Sequence, residues 1–236
     1  MNLPDPFRRR GEHIEIELPG ARAVFTTRRG GHSRGPYESL NLGRLTDDDK
    51  PSVARNRGAV EADVGLPLVF VRQVHGAKVI RLTAPGNTPP EADGHATARR
   101  EFAPTVLTAD CLPIALAADG AVAMLHAGWR GLAAGVIDEG VSAVREVGGR
   151  GPITAAIGPG AGPCCYEVGE EVLTVFGEDG PTLDLKKLAR ARLDHAGVAT
   201  VHDVGLCTIC SAPDLFFSHR RDRGVTGRQA GIAWLT

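Results

Sequence analysis

Apolar and polar positions alternate over His13–Leu18, the period of a half-buried strand, and Ala21–Thr27 reads as its partner across Pro19-Gly20. Further short apolar or alternating runs predict strands at Leu68–Gln73, Lys78–Leu82, Thr105–Thr108, Ile114–Ala117, Val122–Leu125, Ile153–Ile157, Val198–Val204 and Ala230–Leu235. Helical spacing replaces this pattern in four places. Ser52 N-caps a segment running to about Val64, with Val53, Val60 and Val64 on one side. Leu132–Val147 carries Val136, Ile137, Val141, Val144 and Val147 at intervals of three and four. Glu170–Phe176 and Leu183–His195 follow, the second closed by Gly197. Hairpin-like strand pairs mixed with crossover helices predict one α+β domain with a mixed sheet, not a doubly wound one.

Composition narrows this picture. The chain has 236 residues, 42% hydrophobic but only 5% aromatic, so Val, Ala, Leu and Ile must build the core. A net charge of −1 gives no general attraction for nucleic acid or an anionic membrane. No run approaches the ~20 apolar residues that span a bilayer. Residues 1–12 contain Arg8, Arg9 and Arg10 with no apolar stretch behind them; they read as a flexible leader before a single domain at 13–236. Five cysteines, an odd number without an export signal, favour reduced thiols and a cytoplasmic home. No heptad repeat is present, and a monomer is the default expectation.

Three motifs carry candidate chemistry: Gln73-Val74-His75-Gly76, Ala109-Asp110-Cys111-Leu112-Pro113 and His126-Ala127-Gly128-Trp129-Arg130-Gly131. Each lies where an apolar run ends, and strand ends are where open α/β sheets place chemistry. Two imidazoles and a thiolate form a set suited to zinc with one position open, the catalytic pattern. Against this, no two of the three share a short ligand spacing, and a lone His or Cys is more often a satisfied core residue. Cys111 could equally be a nucleophile with His126 or His75 as its base. Asp110 is placed to act as general base or to orient an imidazole.

The polar segment from Thr27 to Gly43 is long enough to be functional, and Arg28 opens it. Arg28, Arg57 and Arg130 are candidates to hold an anion, Arg130 near a helix start. Gly158–Val168 delivers the adjacent Cys164 and Cys165 with Tyr166; neighbouring cysteines bridge each other poorly. Cys207 and Cys210 have C-x-x-C spacing, which fits a zinc knuckle or a redox pair, but no second C-x-x-C completes a structural site.

Together with Thr26-Thr27-Arg28, Gly30-Gly31, Ser39-Leu40-Asn41-Leu42-Gly43, Asn56-Arg57, Ala92-Asp93-Gly94, Gly158-Pro159, Cys164-Cys165-Tyr166-Glu167-Val168 and Phe217-Ser218-His219-Arg220-Arg221, these motifs resemble the YfiH family from about Ala23 onward. That family is also described as laccase-domain or polyphenol oxidase proteins and as peptidoglycan editing factor. The resemblance implies a single α/β sandwich with a mixed sheet, similar to the catalytic domain of cytotoxic necrotizing factor. It implies zinc on His75, Cys111 and His126. It also implies phosphorolysis of adenosine, inosine, guanosine and methylthioadenosine, with an adenosine deaminase activity, so that purine nucleoside and phosphate are the partners. His32, His219 and the segment 45–49 depart from the family pattern, which bears on substrate preference.

On this reading Asp110, Arg28 and Asn41 are the expected catalytic residues. Arg57, Gln73, Arg130, Cys164 and Tyr166 are the expected substrate contacts. A zinc ion would lower the pKa of water towards about 7 for attack on C6 of adenine; in phosphorolysis the arginines would hold phosphate against the anomeric carbon. A copper oxidase fits less well, because the eight histidines include no His-x-His pair. The competing activities are hydrolysis of an amide in a cell-wall precursor and hydrolysis by a cysteine nucleophile; a non-enzymatic metal-binding protein is the third class.

Overall fold

The structure, a computed structural model, describes residues 1–86 and 88–236. In chain order the strands are β1 (Arg8–Arg10), β2 (His13–Leu18), β3 (Ala21–Phe25), β4 (Leu68–Phe70), β5 (Val79–Arg81), β6 (Gly94–Thr97), β7 (Ala103–Thr108), β8 (Leu112–Asp119), β9 (Ala121–Ala127), β10 (Arg150–Ile157), β11 (Thr200–Asp203) and β12 (Gln229–Leu235). The helices are α1 (Lys50–Val64), α2 (Trp129–Ala134), α3 (Val136–Glu146), α4 (Glu170–Phe176) and α5 (Leu185–His195). The expected α+β sandwich forms, but with two mixed sheets where the order of elements suggested one. The first sheet has the order β1-β2-β3-β12-β7-β4 and the second β11-β10-β8-β9-β6-β5.

The pleat explains the layering. Along β8, Leu112, Ile114, Leu116 and Ala118 pack against α2–α5, while Ala115 and Ala117 face the other sheet. Along β9, Ala121, Ala123, Leu125 and Ala127 take the helical side, and Val122 and Met124 take the inter-sheet side. Both strands are therefore apolar over Leu112–Ala118 and Ala121–Leu125, as strands covered on two faces must be. The first sheet contributes Ile14, Ile16, Ala23, Phe25 and Ala233 to the same inter-sheet core. Its outer face, with Val24, Ile232 and Trp234, is covered by Val60 and Val64 of α1. Each fully buried aliphatic side chain of this kind contributes roughly 1.5–3 kcal/mol.

Several expectations change. Residues 8–10, read as part of a flexible leader, pair with β2, and Phe7 is buried in the inter-sheet core. The helix expected over Leu132–Val147 is two helices, because Gly135 adopts a φ of 90°, closing α2 and starting α3. The cap of α1 is Asp49, not Ser52: its carboxylate accepts from the Ser52 backbone N–H and hydroxyl at 2.9 and 2.6 Å. Strand β6 had no sequence signal. It pairs between β5 and β9 and carries a fully buried histidine, His95. No helix among the described residues is long and apolar enough to cross a membrane.

His95 Nε2 accepts from the Thr105 N–H at 2.8 Å, and its Nδ1 has no partner among the described residues. Burial pushes its pKa down to about 4, against a smaller opposing effect of the Thr105 bond. The folded state thus holds His95 neutral where the unfolded chain protonates it. Stability from this residue is complete above about pH 6.5 and is lost as pH falls towards 4, on the order of 3 kcal/mol. Urea unfolding of the wild type and His95→Gln across that window should show a flatter pH dependence in the variant; parallel curves would refute the assignment.

Candidate active site

Residues 111 and 128 extend the β8–β9 register in which Leu112 opposes Ala127 and Pro113 opposes His126. Cys111 shares the parity of Ala115, and His126 that of Met124, so both aim to the inter-sheet side at one end of the same hairpin. Position 128 must be glycine: a Cβ there would lie 2.8 Å from Cys111 Sγ. His75 arrives from the β4–β5 connection with a φ of 59°, a left-handed conformation rare for a non-glycine residue. Its ring meets that of His126 edge to face, centroids 4.8 Å apart. The ligand atoms of His75, Cys111 and His126 all lie within 4.8 Å of one another.

Asp93, just before β6, organises this convergence. Its Oδ1 accepts from His126 Nδ1 at 2.8 Å and from the His75 backbone N–H at 2.9 Å. Its Oδ2 accepts from the N–H groups of Gly76 and Val74 at 2.7 and 3.2 Å. With Nδ1 committed, His126 offers Nε2 to the site, the carboxylate–histidine arrangement of metal centres. Burial opposes the Asp93 charge, but His126 and the N–H donors hold its pKa below the ordinary carboxylate range. Burial likewise opposes a Cys111 thiolate, yet His126 first and His75 second bring the thiol down to about 6. His126 rises to about 9 despite its own burial, through Cys111 and Asp93. A thiolate between two imidazoles, one anchored by a carboxylate, fits a divalent soft-to-borderline metal.

The triad opens into a cavity of about 1090 Å³. Asp110, Arg57, Gln73, Arg130 and Tyr166 line it, as expected for site residues. Asp110 adopts a φ of 94° and accepts from Thr208 Oγ1 and the Arg220 N–H, both at 2.7 Å. Gln73 clasps the backbone of Leu107 with both ends of its amide, at 2.7 and 2.8 Å. Arg57 lies over the Phe70 ring at 3.8 Å and donates through Nε to Leu42 O at 2.8 Å. Burial, with Arg44 nearby, lowers its pKa to about 10, so it stays charged at neutral pH. Arg130 lies over Trp129 at 4.3 Å.

Three expected site residues lie outside this cavity wall. Arg28 donates to the carbonyls of Glu38 and Pro213 and stacks on Phe217, so it braces a loop. Asn41 is fully buried with every hydrogen-bonding position used: it donates to Thr46 Oγ1 and Asp48 Oδ2 and accepts from the N–H groups of Gly43 and Arg228. It shapes the wall, since Gly43 and Arg228 line the cavity, but has no free group for a base or ribose. Cys164 belongs to a different hollow and touches Cys210. Sequence reasoning gave no role to Asp93, Arg44 or Arg228. Asp93 stood inside a quoted motif, where an acid between Ala92 and Gly94 was the available signal.

A family model described as multi-copper polyphenol oxidoreductase laccase matches residues 22–236. The chain belongs to this laccase-like family. Within it, a Xylella fastidiosa protein named purine nucleoside phosphorylase is 41% identical over 92% of this chain and 93% of its own. The Escherichia coli protein named purine nucleoside phosphorylase YfiH is 38% identical, with 92% and 94% covered. YlmD from Geobacillus stearothermophilus superposes with a TM-score of 0.90 at 35% identity, covering 98% of this chain and 99% of that one. The laccase-like sandwich is thus shared along the whole chain.

Asp93→Asn keeps the shape but weakens the anchor on His126 Nδ1. Metal affinity, measured by competition with a chromophoric chelator, should fall by about 10- to 100-fold with an unchanged fold; wild-type affinity in the variant would refute the role given to Asp93.

Proposed function

We propose that this protein is a zinc-dependent purine nucleoside phosphorylase acting on adenosine, inosine, guanosine and methylthioadenosine, with an accompanying adenosine deaminase activity. The observation that carries the reading is the convergence of His75, Cys111 and His126 on a cavity that also displays guanidinium groups. The names of the relatives support it. Arg44 and Arg130 have no hydrogen bond or ion pair to another side chain among the described residues and are available to phosphate. Arg57 adds a third charge from the wall.

In phosphorolysis a phosphate oxygen bonds to the anomeric carbon, the C–N glycosidic bond breaks, and its electron pair leaves with the purine, which takes up a proton. The arginines orient the phosphate and offset its charge. Zinc on the three ligands would supply a Lewis acid for charge developing in the reaction. Burial raises the Tyr166 phenol to about 12, so it remains a hydrogen-bond donor at neutral pH. Phe70 and Trp129 line the same cavity, with Arg57 and Arg130 stacked on their rings. For deamination, Asp110, which lines the cavity, is the proposed proton carrier.

Zinc is favoured over copper because the set pairs two imidazoles with one thiolate, and the chain has no His-x-His pair. A second reading rests on the depressed Cys111 thiol beside His126, which also suits a cysteine nucleophile.

The test is a panel of the four nucleosides with and without phosphate, beside a muramyl-peptide substrate. Free base released only with phosphate supports phosphorolysis; ammonia from adenosine without phosphate supports deamination. Turnover of the muramyl peptide alone would overturn both. Cys111→Ala should lose the zinc held by His75, Cys111 and His126, and all turnover. Arg130→Ala should raise the phosphate KM by about tenfold or more, the loss of one charge-assisted contact of roughly 1.4 kcal/mol.

A further inference from the structure

Beside α5, two loops bring four cysteines together. The loop after β10 carries Cys164 and Cys165, and the loop after β11 carries Cys207 and Cys210. β10 and β11 are parallel neighbours, so both loops leave the sheet at the same end. Gly160 and Cys207 pair as an isolated bridge, with Thr208 N–H donating to Gly160 O at 3.1 Å. One sulfur from each of the four residues falls within 4.8 Å of the others, and Cys164 Sγ lies 3.4 Å from Cys210 Sγ. All are free thiols.

We propose that Cys164, Cys165, Cys207 and Cys210 form a second, closed zinc site, structural in role and separate from His75, Cys111 and His126. Zinc–sulfur bonds of about 2.3 Å in a tetrahedron place the sulfurs about 3.8 Å apart. The observed spacing matches one ion and is too tight to enclose a multi-iron cluster. The local backbone is arranged for a thiolate. The N–H of Gly162 donates to Cys207 Sγ at 3.3 Å, and those of Ile209 and Cys210 point at the same sulfur. Donors from the second and third residues after the first cysteine are what a C-x-x-C turn supplies to a metal-bound sulfur. Four thiolates on one zinc carry a net charge of −2. Lys186, buried, lines the hollow beside Cys164 and Cys207 and is held by Leu206 O at 2.6 Å. Binding would release to solvent the protons of thiols not already ionised.

The missing half of a C-x-x-C pair is thus supplied by adjacent cysteines on a neighbouring loop. The ion would staple two segments that reach the cavity: Tyr166 follows Cys165, and Thr208, which donates to Asp110, follows Cys207.

Elemental analysis of the full-length protein and its variants tests this without reference to activity. Cys111→Ala should retain one zinc per chain; Cys210→Ser should lose one relative to the wild type. In the native wild type, alkylation of these four cysteines should be slowed at least about tenfold and released by a chelator. Cobalt(II) added to the metal-free Cys111→Ala protein should give the intense sulfur-to-metal charge-transfer bands of a tetrathiolate. A metal-free Cys111→Ala chain with four freely reactive thiols would overturn the proposal, as would iron in place of zinc, or an intact mass short by the hydrogens of a disulfide. Because the tests keep the two metal sets apart, loss of the reading for His75, Cys111 and His126 would leave this one standing.

Discussion

One buried carboxylate holds the candidate active site in shape. Asp93 spends both oxygens on four donors, and these belong to the two segments that bring the imidazoles. A charge taken out of water is tolerated only with partners of this quality. Here those partners are the backbone of residues 74–76 and the ring of His126. The constraint runs both ways: it fixes which nitrogen His126 presents, and it turns the chain sharply enough for His75 to face it. The left-handed φ of His75 is the local cost, offset by the N–H bonds that Asp93 accepts.

Cys111, the third candidate ligand, needs no such device, because the sheet itself places it. Cys111 and His126 stand at the paired end of a hairpin whose strands are buried from Leu112 to Ala118 and from Ala121 to Ala127. Their alignment follows from register, and register here cannot slip by one residue without exchanging Leu112, Ile114 and Leu116 for the alanines of the other face. The core and the site are therefore one construction problem. Gly128 solves the remaining steric conflict, where the strand leaves the sheet beside the sulfur.

Much of this could be read from the chain, and the failures have physical reasons. The interior strands and the short helix Glu170–Phe176 announced themselves through apolar runs and spacing. β6 did not, because Gly94, His95 and Ala96 are poor strand markers that pairing on both sides overrides. The three ligand candidates were legible because they interrupt apolar runs at strand ends. Arg28 was singled out for opening the long polar segment and Asn41 through the family resemblance, but both side chains are consumed in holding the loop. Whether a polar side chain faces a ligand or its own backbone depends on partners far away in sequence, which local patterns do not carry. The single helix expected over 132–147 failed at Gly135, whose left-handed turn gives no sign in the apolar periodicity.

The clasp that Gln73 makes on Leu107 ties the segment carrying His75 to β7, the neighbour of β4 in the first sheet. A side-chain amide here imitates a strand, completing a ladder that the main chain has already left. Asp93, just before β6 of the second sheet, holds residues 74–76 from the other side, so this short segment spans the two layers, and any widening of the gap between them would be transmitted to His75.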